Sequence, residues 1–264
     1  MRYAFVTTNL LDLRAKPGHG SERRSQLFFG ELLKVMSEQK GFCRVRQTDG
    51  YTGWADSRFL RAISARGYRE HLSSINAVIT VRTARIWNKS GSPPPYFLYY
   101  GTRLHVRPDS SGLKRVILAD RTSLLVKAGN LTPISMKNSP FPTGARLVAE
   151  VKRFLGVPYL WGGITVTGFD CSGLVRTVFS RFGIYIPRDT KDQISKGEKV
   201  DRDCIKTGDL LFFRRHVGLA IGRDRLIHAS QGSGGVRINA LERGLPDYRE
   251  DLDRDFAQAR RMTT

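Results

Sequence analysis

The feature that most constrains this chain is Asp170-Cys171-Ser172-Gly173, set at the head of an amphipathic run and followed by two histidines. Leu174, Val175, Val178, Phe179 and Phe182 recur at helical spacing, and Gly183 then ends the run. Cys171 therefore falls in the first turn of a helix, with Asp170 as its N-cap. A helix start presents unpaired N–H groups and a partial positive charge, which favour the nucleophilic thiolate over the thiol. Alone, such a cysteine is as readily a small buried hydrophobe.

The segments downstream change that balance. Gly208-Asp209-Leu210-Leu211-Phe212-Phe213, His216-Val217-Gly218-Leu219-Ala220-Ile221-Gly222 and Leu226-Ile227-His228-Ala229-Ser230 read as three short apolar strands divided by charged or Gly-containing turns. A hairpin at Gly222–Arg225 would make His216 and His228 neighbours across it. A helix-borne Cys171 packed on such a sheet could then meet His216, with His228 orienting the ring. That is the general arrangement of nucleophile, base and orienter.

Six motifs carry a resemblance. Pro158-Tyr159-Leu160-Trp161-Gly162-Gly163, the Asp170–Gly173 motif, Pro187-Arg188-Asp189-Thr190, Gly208–Phe213, His216-Val217-Gly218 and Ile227-His228-Ala229 resemble, in identity and order, the NlpC/P60 cysteine peptidases. The resemblance covers about residues 144–264. It implies a papain-like α+β core that cleaves peptidoglycan stem peptides at the D-glutamyl–diamino acid bond. Cys171 would be the nucleophile, working as a thiolate paired with protonated His216, and His228 would orient that histidine. Family members carry His, Asn or another polar residue at the orienting position. Tyr159 would face the oxyanion beside the Cys171 N–H, while Asp170 and Ser172 could hold the ligand's amine and backbone. Asp189 and Thr190 would complete the substrate contacts. Thr207 departs from the family's usual Pro, and Thr190 from its common Ser.

Residues 1–135 follow a different pattern of many short apolar pieces between turns, as in small β-barrels. Gly30, Leu33 and Val35 recur as Gly101, Leu104 and Val106 in a G-x-x-L-x-V frame, a weak internal repeat. Gly50-Tyr51-Thr52-Gly53-Trp54-Ala55 resembles the last hairpin of bacterial SH3-like domains. The expected fold is α+β: SH3-like barrels over residues 1–63 and 74–135, then the catalytic domain over 144–264. Linkers are expected near 64–73 and 135–144, the second punctuated by Pro140 and Pro142, with a long loop at Pro93-Pro94-Pro95. Tandem SH3-like domains ahead of such a catalytic domain resemble the γ-D-glutamyl-L-diamino acid endopeptidases. In those enzymes the first SH3-like domain narrows the cleft and restricts cleavage to peptides with a free N-terminal L-Ala. Tyr51 is the candidate for reaching the site, and Glu22 for pairing with the ligand's ammonium. Each also has a plain reading, Tyr51 as hairpin packing and Glu22 as a solvated loop charge.

Charge is what the resemblance explains least. Lys and Arg number 44 against 24 acids, a net charge of +20. Residues 1–135 carry 22 basic and 9 acidic residues, net +13. A basic half can attract anionic polymers such as wall glycopolymers, lipid headgroups or nucleic acid. No helix-turn-helix, zinc finger or RNP-type motif supports a specific nucleic-acid partner. Arg214-Arg215, just before His216, could instead attract substrate carboxylates. Cys43, Cys171 and Cys204 form neither an even disulfide framework nor a CxxC metal pair, so no metal and no cofactor are implied. Cys43 and Cys204 read as structural, and His19, His71 and His105 have no evident partners. No stretch approaches the ~20 apolar residues of a membrane span. Free thiols and the lack of a visible signal peptide give a cytoplasmic expectation. The expected activity is hydrolysis of short free stem peptides for recycling. The alternatives are an exported hydrolase acting on intact peptidoglycan, and a non-catalytic wall-binding protein.

Overall fold

Alternating burial along short strands builds the N-terminal half. The computed structural model describes residues 2–88, 97–134 and 141–263, so Pro93–Pro95 and Pro140 lie outside the described residues. The chain divides into two units, Met1–Met136 and Lys137–Thr264.

In the first unit β1 (Tyr3–Val6), β2 (Leu10–Arg14), β3 (Arg23–Phe28), β4 (Leu32–Gln39), β5 (Phe42–Arg46), β6 (Thr52–Asp56) and β7 (Leu60–Ile63) form one sheet, ordered β3-β2-β6-β5-β4-β1-β7. A helix α1 (Ala65–Ser74) follows. Then come β8 (Ala77–Ile79), β9 (Thr83–Trp87), β10 (Phe97–Tyr99), β11 (Arg103–Pro108), β12 (Lys114–Ile117), β13 (Ser123–Val126) and β14 (Leu131–Pro133), ordered β10-β9-β13-β12-β11-β8-β14. The second order is the first shifted by seven strands, so the weak sequence repeat marks a duplicated sheet. Its glycines have equivalent work. Gly30 (φ +74°) and Gly101 (φ +92°) turn the chain into β4 and β11 in the left-handed region, where glycine alone carries no steric penalty. Their N–H groups donate to Val6 and Ile79, the last residues of β1 and β8.

The linker expected at residues 64–73 is instead α1. Ser64 caps it, its Oγ accepting the Gly67 N–H at 3.0 Å. Only Tyr68 and His71 are buried, so the helix shows too narrow an apolar stripe to be seen in a window rich in Arg, Glu and Ser. Tyr68 packs at a tilt against Tyr3, their ring centroids 4.6 Å apart. It joins Phe5 and Leu32 of the first sheet, and Phe29 in the turn between β3 and β4, to Ile79, Leu98, Leu104 and Val116 of the second in one buried cluster.

The second unit opens with α2 (Gly144–Lys152) and a short hairpin of β15 (Ile164–Thr165) and β16 (Gly168–Phe169). Next are α3 (Cys171–Ser180), α4 (Thr190–Gln193) and β17 (Glu198–Val200). Strands β18 (Leu210–Phe213), β19 (His216–Ala220), β20 (Arg225–Ser230) and β21 (Gly235–Ala240), helix α5 (Glu250–Arg254) and β22 (Phe256–Arg261) complete it. The sheet is antiparallel, ordered β17-β22-β18-β19-β20-β21. Apolar residues fill β18 through β20, as their sequence predicts. Any side chain at Gly144 would run into the Thr207 carbonyl, so α2 begins hard against the Thr207-Gly208 backbone. Among the described residues no helix is long and apolar enough to cross a membrane.

Candidate active site

Asp170 caps the helix that carries Cys171. Its carboxylate accepts the Gly173 N–H at 2.6 Å and the Gly162 N–H at 2.9 Å. Arg188, 2% exposed, grips both oxygens at 3.1 and 2.5 Å and donates to Ser172 Oγ at 2.9 Å. A bidentate buried pair with these extra donors satisfies the carboxylate. Through these partners Asp170 ties together α3, the Gly162 loop and the Arg188 segment. Ser172, also buried, is likewise committed to Asp170 and Arg188. At the other end Gly183 (φ +78°) closes α3, and the Ile184 N–H returns to the Phe179 carbonyl.

Cys171 sits at the first position of α3, 8% exposed. Its sulfur accepts the N–H groups of Ser172 and Val217, the latter next to His216. The Thr190 hydroxyl, at the start of α4, lies 3.7 Å from the sulfur. Thr190 therefore touches the proposed nucleophile itself. Beside it, Asp189 occupies the N-cap position of α4.

The histidines form a row across three strands. Leu219 pairs with Ile227 and Ala220 with Leu226, while His228 faces Arg237 and Leu226 faces Asn239. His216, His228 and Asn239 therefore alternate onto one face as diagonal neighbours. His216 Nε2 is 2.6 Å from His228 Nδ1, and His228 Nε2 is 2.8 Å from Asn239 Oδ1. Gly218 makes the row possible, because a Cβ there would lie 2.6 Å from Leu226 Cδ1 and 3.1 Å from His228 Cβ.

Burial sets the protonation of this site. It pushes the Cys171 thiol up, and Asp170 adds to the rise against the hydrogen bonds from Thr190, Val217 and Ser172. Burial, then His228 and Arg249, push His216 down to about 3 against the opposing Asp251 charge. His228 is lowered for the same leading reason. The sequence suggested a thiolate–imidazolium pair favoured by the helix start. Desolvation works against that field, pushing both the Cys171 thiol and the His216 imidazole toward their uncharged forms. Tyr159 is half-buried, and desolvation followed by the charges at Cys171 and Asp170 raises its hydroxyl, which stays a protonated donor.

Tyr51 and Glu22 lie in the first unit. Tyr51 packs on the core of the first sheet with Arg24 over its ring at 5.8 Å. Glu22 is exposed and its carbonyl accepts the Ala15 N–H. Three residues that sequence reasoning did not assign to the site now stand in it. Asn239 is a buried amide on β21, two residues after the exposed Arg237. Arg188 lies in the Pro187–Thr190 motif, which by itself assigns it no role. Gln193, fully buried, donates to the carbonyls of Ser172 and Pro187 and fastens α4 to α3. Among the described residues no cluster of three His, Cys, Asp or Glu side chains could hold a metal ion.

Comparisons with known proteins agree with this architecture. Residues 156–251 match the NlpC/P60 family and residues 9–61 the bacterial SH3 domain. The chain is 28% identical over 261 residues to a Bacillus cereus protein named gamma-D-glutamyl-L-lysine dipeptidyl-peptidase, covering 92% of this chain and 76% of that one. A Bacillus subtilis protein of the same name is 29% identical over 247 residues, covering 87% and 79%. The Haemophilus influenzae probable endopeptidase NlpC homolog is 43% identical over 103 residues, 38% of this chain and 56% of its own. A crystal structure of an NlpC/P60 family protein from Bacillus cereus has the same fold, with a TM-score of 0.84 at 24% identity over 98% of this chain and 99% of that one. The expected α+β architecture with SH3-type strands ahead of the catalytic domain is borne out. With a cysteine at the head of a buried helix and a histidine row beside it, the chain carries an NlpC/P60 cysteine-peptidase domain over residues 156–251 and a bacterial SH3 domain over residues 9–61.

Proposed function

We propose that this peptidase hydrolyses peptidoglycan stem peptides at the γ-D-glutamyl–diamino acid bond and acts on short peptides with a free N-terminal L-Ala. The observation that carries the reading is the extent of similarity. The Bacillus relatives named for γ-D-glutamyl-L-lysine cleavage align with 92% and 87% of the chain, SH3 and catalytic parts together. The Escherichia coli relative named murein DD-endopeptidase aligns with only 35%.

The residues then act as follows. His216 Nδ1 takes the Cys171 thiol proton as the sulfur attacks the γ-carbonyl of D-Glu. Donors at Tyr159 and the Cys171 N–H hold the oxyanion, where one such donor in a dry site contributes ~3 kcal/mol. Collapse breaks the C–N bond, and the proton on His216 passes to the leaving amine. Water then gives a proton to His216 and attacks the thioester. The acid leaves as the proton returns to sulfur.

The test is to incubate the protein with L-Ala-γ-D-Glu-L-Lys, its diaminopimelate counterpart, the N-acetylated tripeptides and intact sacculi, and to identify products by mass. Release of L-Ala-γ-D-Glu from the free tripeptides is expected. Acetylation should lower kcat/KM by at least ~10²-fold, the scale on which a paired, desolvated charge is lost. Equal rates on free and acetylated peptides, or cleavage of sacculi alone, would replace this reading with that of a wall-remodelling hydrolase.

A further inference from the structure

The histidine row ends in a residue whose orientation is fixed independently. Asn239 Nδ2 donates to the Asp247 carbonyl at 3.0 Å. Asp247 holds a left-handed backbone conformation (φ +61°), and its carbonyl also accepts the Ala240 N–H. With its NH2 committed there, Asn239 turns Oδ1 toward His228 Nε2, 2.8 Å away. A second group reinforces the same choice. Arg249, gripped by Asp251 at 2.8 and 2.7 Å, donates to Ser233 Oγ at 2.7 Å. The Ser233 hydroxyl is thereby left to donate to Asn239 Oδ1 at 3.3 Å.

We infer that Asn239 is a positioning residue that sets the tautomer of both histidines and so selects Nδ1 of His216 as the base. The logic follows from donor and acceptor inventories. An acceptor at Asn239 Oδ1 requires the proton of neutral His228 on Nε2. His228 Nδ1 then carries a lone pair and accepts from His216 Nε2–H across 2.6 Å. The remaining nitrogen of His216, Nδ1, must be the bare one. Reversing the amide would face its NH2 toward His228 Nε2, move the His228 proton to Nδ1 and occupy His216 Nε2 as an acceptor. Its Nδ1 would then carry hydrogen and could not take the thiol proton. The groups that bear charge around the row are Arg249 and Asp251, both acting on both histidines.

This inference rests on the proposed peptidase activity only for its kinetic arm. The first arm is nitrogen-15 NMR of the labelled full-length protein, which reads histidine tautomers without substrate. Protons on Nε2 of both His216 and His228 are expected. A proton on His216 Nδ1 in the wild-type protein would overturn the inference whatever the substrate proves to be. The second arm compares Asn239→Leu with Asn239→Asp, after circular dichroism has checked the fold. Loss of the acceptor in Asn239→Leu should lower kcat by about 10–100-fold, the scale on which removing a group that orients a metal-bound histidine acts. KM should stay near its original value, and the His228 tautomer should become mixed. Asn239→Asp keeps an acceptor facing Nε2 and should recover most of the lost kcat with the wild-type tautomers. A folded Asn239→Leu protein with wild-type kcat and unchanged tautomers would overturn the role. So would an Asn239→Asp protein as impaired as Asn239→Leu while folded. Where Asn239→Leu does not fold, the wild-type tautomers and Asn239→Asp decide.

Discussion

Burial pushes the Cys171 thiol and the His216 imidazole toward their uncharged forms, and an uncharged starting pair has a kinetic signature. A neutral pair must move a proton as the sulfur attacks, whereas a preformed ion pair has already moved it. Acylation by the wild-type enzyme should therefore show a normal solvent deuterium isotope effect. The pH profile follows from the sign of the His216 shift. Its folded value is lowered from the ordinary 6.5 to about 3, so it remains a competent base as pH falls through 6.5. kcat/KM should hold its plateau well below pH 6.5 for as long as circular dichroism shows the fold intact. An acid limb near 6.5 with no isotope effect would return the site to the thiolate–imidazolium pair that the helix start suggested. Asp170 and Arg188 make a different residue-scale prediction. Their side chains are 9% and 1% exposed. Removing one partner leaves a buried charge uncompensated and costs about 3–5 kcal/mol. Arg188→Met should lower the denaturant midpoint accordingly and disorder the start of α3. An unchanged midpoint would show that the pair is dispensable.

At the scale of elements, α3 and the strands after it were legible because their signals are strong and local. An N-cap, a stripe of Leu174, Val175, Val178 and Phe179, and a left-handed Gly183 specify α3 within fourteen residues, Asp170–Gly183. Strands β18 to β20 announce themselves through short apolar runs, Leu210–Phe213, Val217–Ala220 and Leu226-Ile227, divided by turns. Helix α1 was missed because two buried residues, Tyr68 and His71, decide it, and the surface they cover comes from strands distant in sequence. The role of Asn239 was missed for a related reason. It depends on a register between β20 and β21 and on the Asp247 carbonyl, neither of which is a local property. Gly218 shows how tightly that register is used. Gly218→Ala would press its methyl on Leu226 and His228, and crowding of a packed site typically costs 1–3 kcal/mol. Thermal unfolding should move down, and kcat should fall as the His228 ring is displaced. A variant of wild-type stability and activity would mean that the row tolerates a wider spacing.

For the whole molecule, the sequence repeat hinted at two barrels, and the structure returns two sheets of identical strand order sharing one buried cluster. The G-x-x-L-x-V frame carried this because its glycines take left-handed turns that few residues tolerate, while the rest of the second copy diverged. Histidines without visible partners in the sequence acquired surroundings only on folding. His19 lies 3.4 Å from Asp56, and buried His71 meets His105 edge-on at 6.0 Å. Desolvation, then His105, lowers His71 from 6.5 to about 4 against the opposing Asp120 charge. A lowered folded value means that the unfolded chain takes up the proton first. The stability tied to His71 is thus complete above about pH 6.5 and is lost as pH falls toward 4, by up to about 3 kcal/mol. His71→Leu should flatten the acid slope of the full-length protein's melting temperature between those limits. An unaltered slope would place the acid sensitivity elsewhere, with His216 and His228 the next groups to test.

The claim on which the account turns is that Cys171 carries the acyl group of a γ-glutamyl substrate. Rapid acid quenching of the enzyme during turnover of L-Ala-γ-D-Glu-L-Lys, followed by intact and peptide mass spectrometry, measures it directly. An L-Ala-γ-D-Glu adduct is expected on the Cys171 peptide, absent in Cys171→Ala, which should remain folded and lose turnover. Turnover by Cys171→Ala at a rate near wild type, or an adduct on Cys43 or Cys204 in place of Cys171, would contradict it.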